Sequence, residues 1–328
     1  MLKMKLPSFI MKPSTRAFTR EARRVRGYSL FDWLHGIVYI RWPYLYIGIG
    51  TGEHRLVKRY GPLIGKLLGF IKPRDLVTDA DELEILAGDN SDGRVTFADT
   101  YHGKVMPIDN AKQLVTVKED IQLADMEHII PYRKARDIIL QNPDHIVVLD
   151  CPCRVSRPDP CLPLDVCLIV GEPFAGFVVE HHPERSRWIS QDEAVQILVD
   201  EEERGHVHHA FFKDAMLERF YAICNCCECC CGAMQAHRNG TPMLASSGYT
   251  VCVDDTLCIG CGTCEAYCQF GAISVSNGES VGIASVDVAA CMGCGVCTTK
   301  CEQGAVELVR DESKGIPLEL FELMGIES

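Results

Sequence analysis

The chain has 328 residues, 47% of them hydrophobic, with 33 Lys and Arg against 45 Asp and Glu and a net charge of −12. That is enough apolar material for one large core or two smaller ones, which excludes a disordered chain. Nineteen cysteines, an odd number in so long a chain, exclude a small secreted disulfide scaffold and point to a reducing compartment.

Charge is spread unevenly. Residues 1–74 hold fifteen Lys and Arg against three Asp and Glu, which leaves eighteen against forty-two in the remainder. An acidic body argues against nucleic acid as a main partner, while a basic end suits anionic headgroups or an acidic protein surface. Within that end, "STRAFTREARRVR" (14–26) sets Phe18, Ala22 and Val25 at i, i+4 and i+7 among five arginines, the pattern of a basic amphipathic helix. The next stretch, 28–50, interleaves Tyr28, Phe31, Trp33, Tyr39, Trp42, Tyr44 and Tyr46 with aliphatics. Such rings favour the depth where headgroups meet acyl chains. Asp32, His35, Arg41 and Pro43 interrupt the run, so a segment lying in the membrane interface is expected rather than a spanning helix or a cleavable signal. Leu56 to Arg74 continues the pattern, with Lys58, Arg59, Lys66, Lys72 and Arg74 available for phosphates. Docking of the aromatics onto a partner subunit or onto the protein's own body are the alternatives. Cytoplasmic retention, peripheral on the inner face of the cell membrane, is the expected location.

From Asp75 to about Ile130 the segments "RVTF", "KVMPI" and "QLVTV" read as short strands of a small β subdomain, after an acidic loop around Asp79 to Glu84. At Pro131 a helix is expected, with Ala135, Ile138 and Ile139 on its buried stripe. "HIVVLD" then reads as a buried strand ending in "CPCR", which puts Cys151 and Cys153 at the carboxyl end of a strand, where open α/β sheets place ligands. Cys161 and Cys167 follow in a proline-rich loop. Ser190 and Glu193 form a capping box for a helix closed by Gly205, and a second helix is expected from about Ala210 to Ala222.

That helix leads into "CNCCECCC", with Cys224, Cys226, Cys227, Cys229, Cys230 and Cys231. Packing does not call for six thiols in eight residues, so ligation explains them better. The ten upstream cysteines are candidate ligands of one or more further metal centres. Soft thiolates favour iron–sulfur clusters, with zinc and redox-active or structural thiols as the alternatives, and the pairing stays open. Cys252 reads as a buried strand residue. His181, His182, His206, His208 and His209 invite a metal or relay role, but histidines after a helix C-terminus commonly meet its free carbonyls. Gly171 and Gly176 form no phosphate cradle, and no dinucleotide fingerprint or P-loop occurs, so no nucleotide or flavin site is expected.

The most specific signal is C-terminal. Cys258, Cys261, Cys264 and Cys268 follow a CxxCxxCxxxC spacing that Cys291, Cys294, Cys297 and Cys301 repeat. Three thiolates on a tight loop can cap three irons of one cubane while the fourth reaches the other cluster. The crossing predicts Cys258, Cys261, Cys264 and Cys301 on one [4Fe-4S] cluster, and Cys291, Cys294, Cys297 and Cys268 on the other. Zinc would prefer two CxxC pairs with a longer spacer. On these motifs the stretch from about Tyr249 to Arg310 resembles the two-cluster bacterial ferredoxins, a resemblance that implies a pseudo-twofold fold and one-electron transfer. The family's proline after each fourth cysteine is replaced by Gln269 and Glu302, a change expected to alter the local turn and the reduction potentials. Together with "CPCR" and "ICNCC", the arrangement also resembles poorly characterised cysteine-rich iron–sulfur proteins of anaerobic bacteria, which implies further clusters but no reaction.

The expected fold class is α+β. It comprises a basic aromatic docking segment (1–74), a small β-rich subdomain (75–130), a cysteine-rich α/β middle domain (131–248), a ferredoxin-like dicluster domain (249–312) and a C-terminal helix or tail (313–328). The expected function is single-electron transfer through several clusters, with redox partner proteins steered by the acidic body. Alternatives are an oxidoreductase whose upstream cluster is catalytic, and a redox-sensing or cluster-delivery protein.

Overall fold

The computed structural model of the protein describes residues 11–52, 59, 97–124, 126–276 and 282–326. Helices α1 (Pro13–Ala22), α2 (Leu30–Arg41) and α3 (Pro43–Gly50) open it. Pro13 and Pro43 sit in first turns, where a missing N–H costs nothing, and Ser29 with Asp32 caps α2 reciprocally. Then come α4 (Phe97–Thr100), β1 (Tyr101–Met106), α5 (Ile108–Thr116), β2 (Ile121–Leu123), β3 (Ile138–Asp150), α6 (Pro152–Val155) and β4 (Asp165–Glu172). They are followed by α7 (Phe174–His181), β5 (Ser186–Ile189), α8 (Gln191–Glu203), β6 (Val207–Lys213), β7 (Arg219–Cys226), α9 (Gly232–Arg238) and β8 (Leu244–Ala245). The C-terminal module holds β9 (Tyr249–Val253), α10 (Thr263–Tyr267), β10 (Ile273–Val275), β11 (Ala284–Val286), α11 (Val296–Lys300) and β12 (Val306–Arg310), and α12 (Leu320–Leu323) closes the chain.

Eight strands form one sheet in the order β2-β3-β4-β7-β6-β1-β8, with β5 also pairing β3. Every pairing in it is antiparallel except β1 with β8. The period of two sorts side chains to opposite faces. Val105, Val147, Leu149, Cys167, Ile169 and Phe211 share a core with Phe18, Tyr39, Phe174 and Phe177 of α1, α2 and α7. Met106, Ile146, Val148, Leu168, Val170 and Phe212 face the opposite way, onto Leu114 of α5 and Leu198 of α8. The sheet is thus covered on both faces.

That double cover explains where sequence expectation and structure part. The helix expected across 210–222 is the hairpin of β6 and β7, turned at Leu217 and Glu218 with φ of 60° and 59°. Strands buried on both faces show no polar alternation, and their unbroken apolar run passes for a helix. The helix expected at Pro131 is likewise absent: Ala135 has φ 53°, and the β-branched Ile138 and Ile139 begin β3. "QLVTV" lies mostly in α5, because Ala111, Leu114 and Val115 bury one helical face. The middle domain is not α/β, since its sheet is antiparallel in every pairing but β1 with β8, and β1 and β2 belong to that sheet rather than to a separate β subdomain. Cys252 is on β9 but exposed.

The N-terminal helices pack on the body. Phe18 lies 6.3 and 5.9 Å from the rings of Phe174 and Phe177, and the Tyr39 hydroxyl meets that of Tyr221 at 2.7 Å. Leu30, Phe31, Leu34, Trp42, Leu45 and Ile49 nevertheless stay exposed. Among the described residues no helix is long and apolar enough to cross a membrane. The stretch Leu56 to Arg74, apart from Arg59, and the acidic loop around Asp79 to Glu84 lie outside the described residues, as do Arg94 to Thr96 of "RVTF".

His102, on β1, stacks between Tyr132 at 3.7 Å and Phe212 at 5.7 Å. Burial pushes its imidazole down to about 4, against carbonyl acceptors at Ala98 and Ala135 that favour charge. Below its ordinary value of 6.5 the unfolded chain takes up a proton that the folded chain refuses, so stability falls as pH drops from about 6.5 towards 4. His102→Phe is expected to flatten that slope relative to the unaltered chain, measured by anaerobic denaturant titration at several pH values.

Candidate metal centres

The repeat in the C-terminal module is offset by 33 residues, and the backbone hydrogen bonds cross with it. Asp254 N donates to Ala305 O at 2.8 Å, and Asp287 N, one repeat later, donates to Ala272 O at 2.8 Å. Each half therefore completes the other. Gly262 and Gly295 precede α10 and α11 in the left-handed region. Gly260 and Gly293 share that conformation, and a Cβ on either would lie about 2 Å from a backbone oxygen, Gly282 O at 1.9 Å or Tyr249 O at 2.1 Å.

Two similar cavities result. One is lined by Cys258, Cys261, Cys264 and Cys301. The other is lined by Cys268, Cys291, Cys294 and Cys297. Amides point at the sulfurs: Ala272 N to Cys268 at 3.2 Å, Ala305 N to Cys301 at 3.3 Å and Ala284 N to Cys258 at 3.5 Å. Four soft donors around a cavity, with N–H groups offered to sulfur, fit a [4Fe-4S] cluster in each.

The two cavities differ in exposure. Cys261 is exposed, and the Thr263 hydroxyl lowers its thiol below the ordinary range. Cys294 is partly buried, and burial pushes its thiol well up. The inner cavity faces the body through Gln269, where the side-chain oxygen accepts from Glu228 N at 2.9 Å and the amide donates to Gly205 O at 3.0 Å. Proline could make neither bond. At Gly205, φ is 81° and an added Cβ would meet the Tyr267 ring at 2.4 Å, so the two modules are in close contact there.

The ten upstream cysteines divide into two groups. Antiparallel order brings the end of β3, the start of β4 and the end of β7 to one edge, which gathers Cys151, Cys153, Cys167, Cys224 and Cys226, with Cys231 beside them. The thiols form a string: Cys153 meets Cys151 and Cys231, Cys226 meets Cys231 and Cys224, and Cys224 meets Cys167 at 3.6 Å. Hydrogen bonds from neighbouring thiols pull Cys224 and Cys231 well down, while hydrogen bonding and burial push Cys151, Cys167 and Cys226 up. Charge is thus favoured on part of the string only, with the Arg154 guanidinium adding to the pull on Cys224. Helices α2 and α3 roof this chamber, Tyr44 donating to Asp150 O at 3.1 Å. The second group, Cys161, Cys227, Cys229 and Cys230, lies at the rim with its four sulfurs within 4.8 Å of one another.

Arg154, the last residue of "CPCR", joins these parts. It is buried, and it donates to Glu201 at 2.5 Å, Pro163 O at 2.5 Å and Asn225 O at 3.2 Å. His206 meets Glu201 at 2.6 Å, and His208 bridges Asn225 at 2.7 Å and Glu202 at 3.0 Å. These histidines are thus held by carboxylates rather than by the free helix carbonyls expected for them. Sequence reading passed over Arg154 because nothing in one chain shows which arginine is enclosed. Glu201→Gln, which leaves the guanidinium buried without its counter-charge, is expected to destabilise the fold by about 3–5 kcal/mol in anaerobic chemical denaturation.

No curated protein matches the chain. Residues 257–314 match the family of the 4Fe-4S dicluster domain. The C-terminal segment of this iron–sulfur protein, crossed repeat and paired cavities included, therefore belongs to the 4Fe-4S dicluster domain family.

Proposed function

We propose that the protein is an electron-transfer protein in which Cys258, Cys261, Cys264 and Cys301 hold an outer [4Fe-4S] cluster and Cys268, Cys291, Cys294 and Cys297 an inner one. When bound, the clusters supply one-electron redox chemistry. The carrying observation is the pair of four-cysteine cavities, one open and one turned to the body. The exposed Leu257 and Ile259 beside Cys261 give a redox partner an apolar contact next to the outer cluster. Gln269 follows an inner-cluster cysteine and bonds the loop of upstream thiols, so the inner cluster is the one coupled to the body. The six-thiol chamber holds a further iron–sulfur centre, its six soft donors gathered at one end of the sheet and half of them buried.

The exposed face of α2 and α3 supports docking at an anionic membrane surface on the cytoplasmic side. Leu30, Phe31, Leu34, Trp42, Leu45 and Ile49 present apolar bulk, and the Arg41 guanidinium lies 5.4 Å from the Trp42 ring, within reach of phosphate.

Ligand additivity tests the crossing. Cys268→Ser combined with Cys291→Ser is expected to lose about four irons per chain, no more than either alone, while Cys268→Ser with Cys258→Ser loses about eight. Loss of about eight in the first pair sinks the assignment. For the membrane, the triple variant Phe31→Ser, Leu34→Ser, Trp42→Ser is expected to bind phosphatidylglycerol vesicles at least tenfold more weakly at low salt. Equal binding by the variant and the parent removes the docking face.

A further inference from the structure

The geometry points to a single tetrahedral metal ion held by Cys161, Cys227, Cys229 and Cys230, a mononuclear centre distinct in kind from the cubane sites. Sulfur spacing carries the distinction. Cys161 to Cys229 is 3.2 Å, Cys161 to Cys227 3.6 Å, Cys227 to Cys229 3.3 Å and Cys229 to Cys230 3.7 Å. A tetrahedral ion about 2.3 Å from each thiolate sets its donors about 3.8 Å apart. A cubane does the opposite, because each thiolate caps a different iron and points away from the cube, which stands between the ligands. The same molecule provides the control. Among the described residues, neither dicluster set brings three thiols within 4.8 Å of one another, and those thiols are instead spread around the walls of a hollow. The four rim sulfurs all lie within 4.8 Å of one another.

The chain is shaped for this spacing. Cys230 N and Cys231 N both donate to Cys227 O, at 3.3 and 3.0 Å, curling residues 227–231 into a turn that sets three thiols on one side. Cys161 arrives from the loop between α6 and β4. A divalent ion with four thiolates carries two negative charges. Arg157 donates to Cys230 O at 3.1 Å, bringing a guanidinium against that surplus. Soft, closed four-sulfur coordination suits Zn2+ or Fe2+ equally in size and geometry, and with no open position the site is structural. Its place decides what it would stabilise: Glu228, between two of the ligands, donates to Gln269 of the dicluster domain, so the ion would pin the loop on which the inner cluster abuts.

The test uses the full chain purified anaerobically, with zinc, iron and acid-labile sulfide measured per chain. Cys161→Ser combined with Cys229→Ser is expected to lose about one equivalent of zinc or of iron, whichever the parent carries there, with sulfide unchanged. Loss of several irons together with an equal number of sulfides makes the site a cluster and overturns the inference. Unchanged metal overturns it as well. Cys229→His keeps four donors and covers the case in which the double variant does not fold. It is expected to retain the equivalent and to add a nitrogen neighbour to the X-ray absorption of that metal; a shell of sulfur alone sinks the proposal. The dicluster reading stands or falls separately, on the iron and sulfide lost with Cys258 or Cys291.

Discussion

One enclosed guanidinium holds the upstream half of this protein together. Arg154 reaches the loop that carries Cys161, the strand that carries Cys224 and Cys226, and Glu201 on α8, while its own helix carries Cys153. Burying a cation so fully is costly unless it is paired and hydrogen-bonded; Nε of Arg154 finds no partner, but its terminal nitrogens bond three separate segments, and that compensation needs all three in place. The thiols are therefore gathered by a polar network behind them as well as by the thiol–thiol contacts of the string.

The dicluster domain docks where its departure from the ferredoxin pattern lies. Gln269 stands in place of the proline, and its side chain spans to Gly205 and Glu228. Lys300 adds a bond to Glu203 O at 2.6 Å. The repeat is thus symmetric in its cysteines and asymmetric in its surroundings, with Cys261 of one set exposed and the other set against the body. Surroundings of this kind are what separate the potentials of chemically identical clusters.

The N-terminal helices serve two surfaces at once. Their inner rings close the core above the thiol string, through Tyr39 on Tyr221 and Tyr44 on Asp150, and their outer side chains face outwards. The composition that suggests a membrane segment is the composition of a roof that is apolar on both sides.

By itself the sequence determined the local chemistry. The spacing of Cys258 to Cys301, the helix cap at Ser190, the helix of Phe18 and Ala22, and the strand running into Cys151 all follow from periods and turns within a few residues of each other. Tertiary structure alone decided what depends on distant partners. It made β6 and β7 strands, since a sheet covered on both faces hides its period of two. It also divided ten upstream cysteines into a string of six and a knot of four, because antiparallel order brings the end of β3, the start of β4 and the end of β7 to one edge. No spacing along the chain encodes that edge, since the end of β7 lies more than fifty residues beyond the start of β4 and is joined to it by Arg154 and the sheet rather than by sequence.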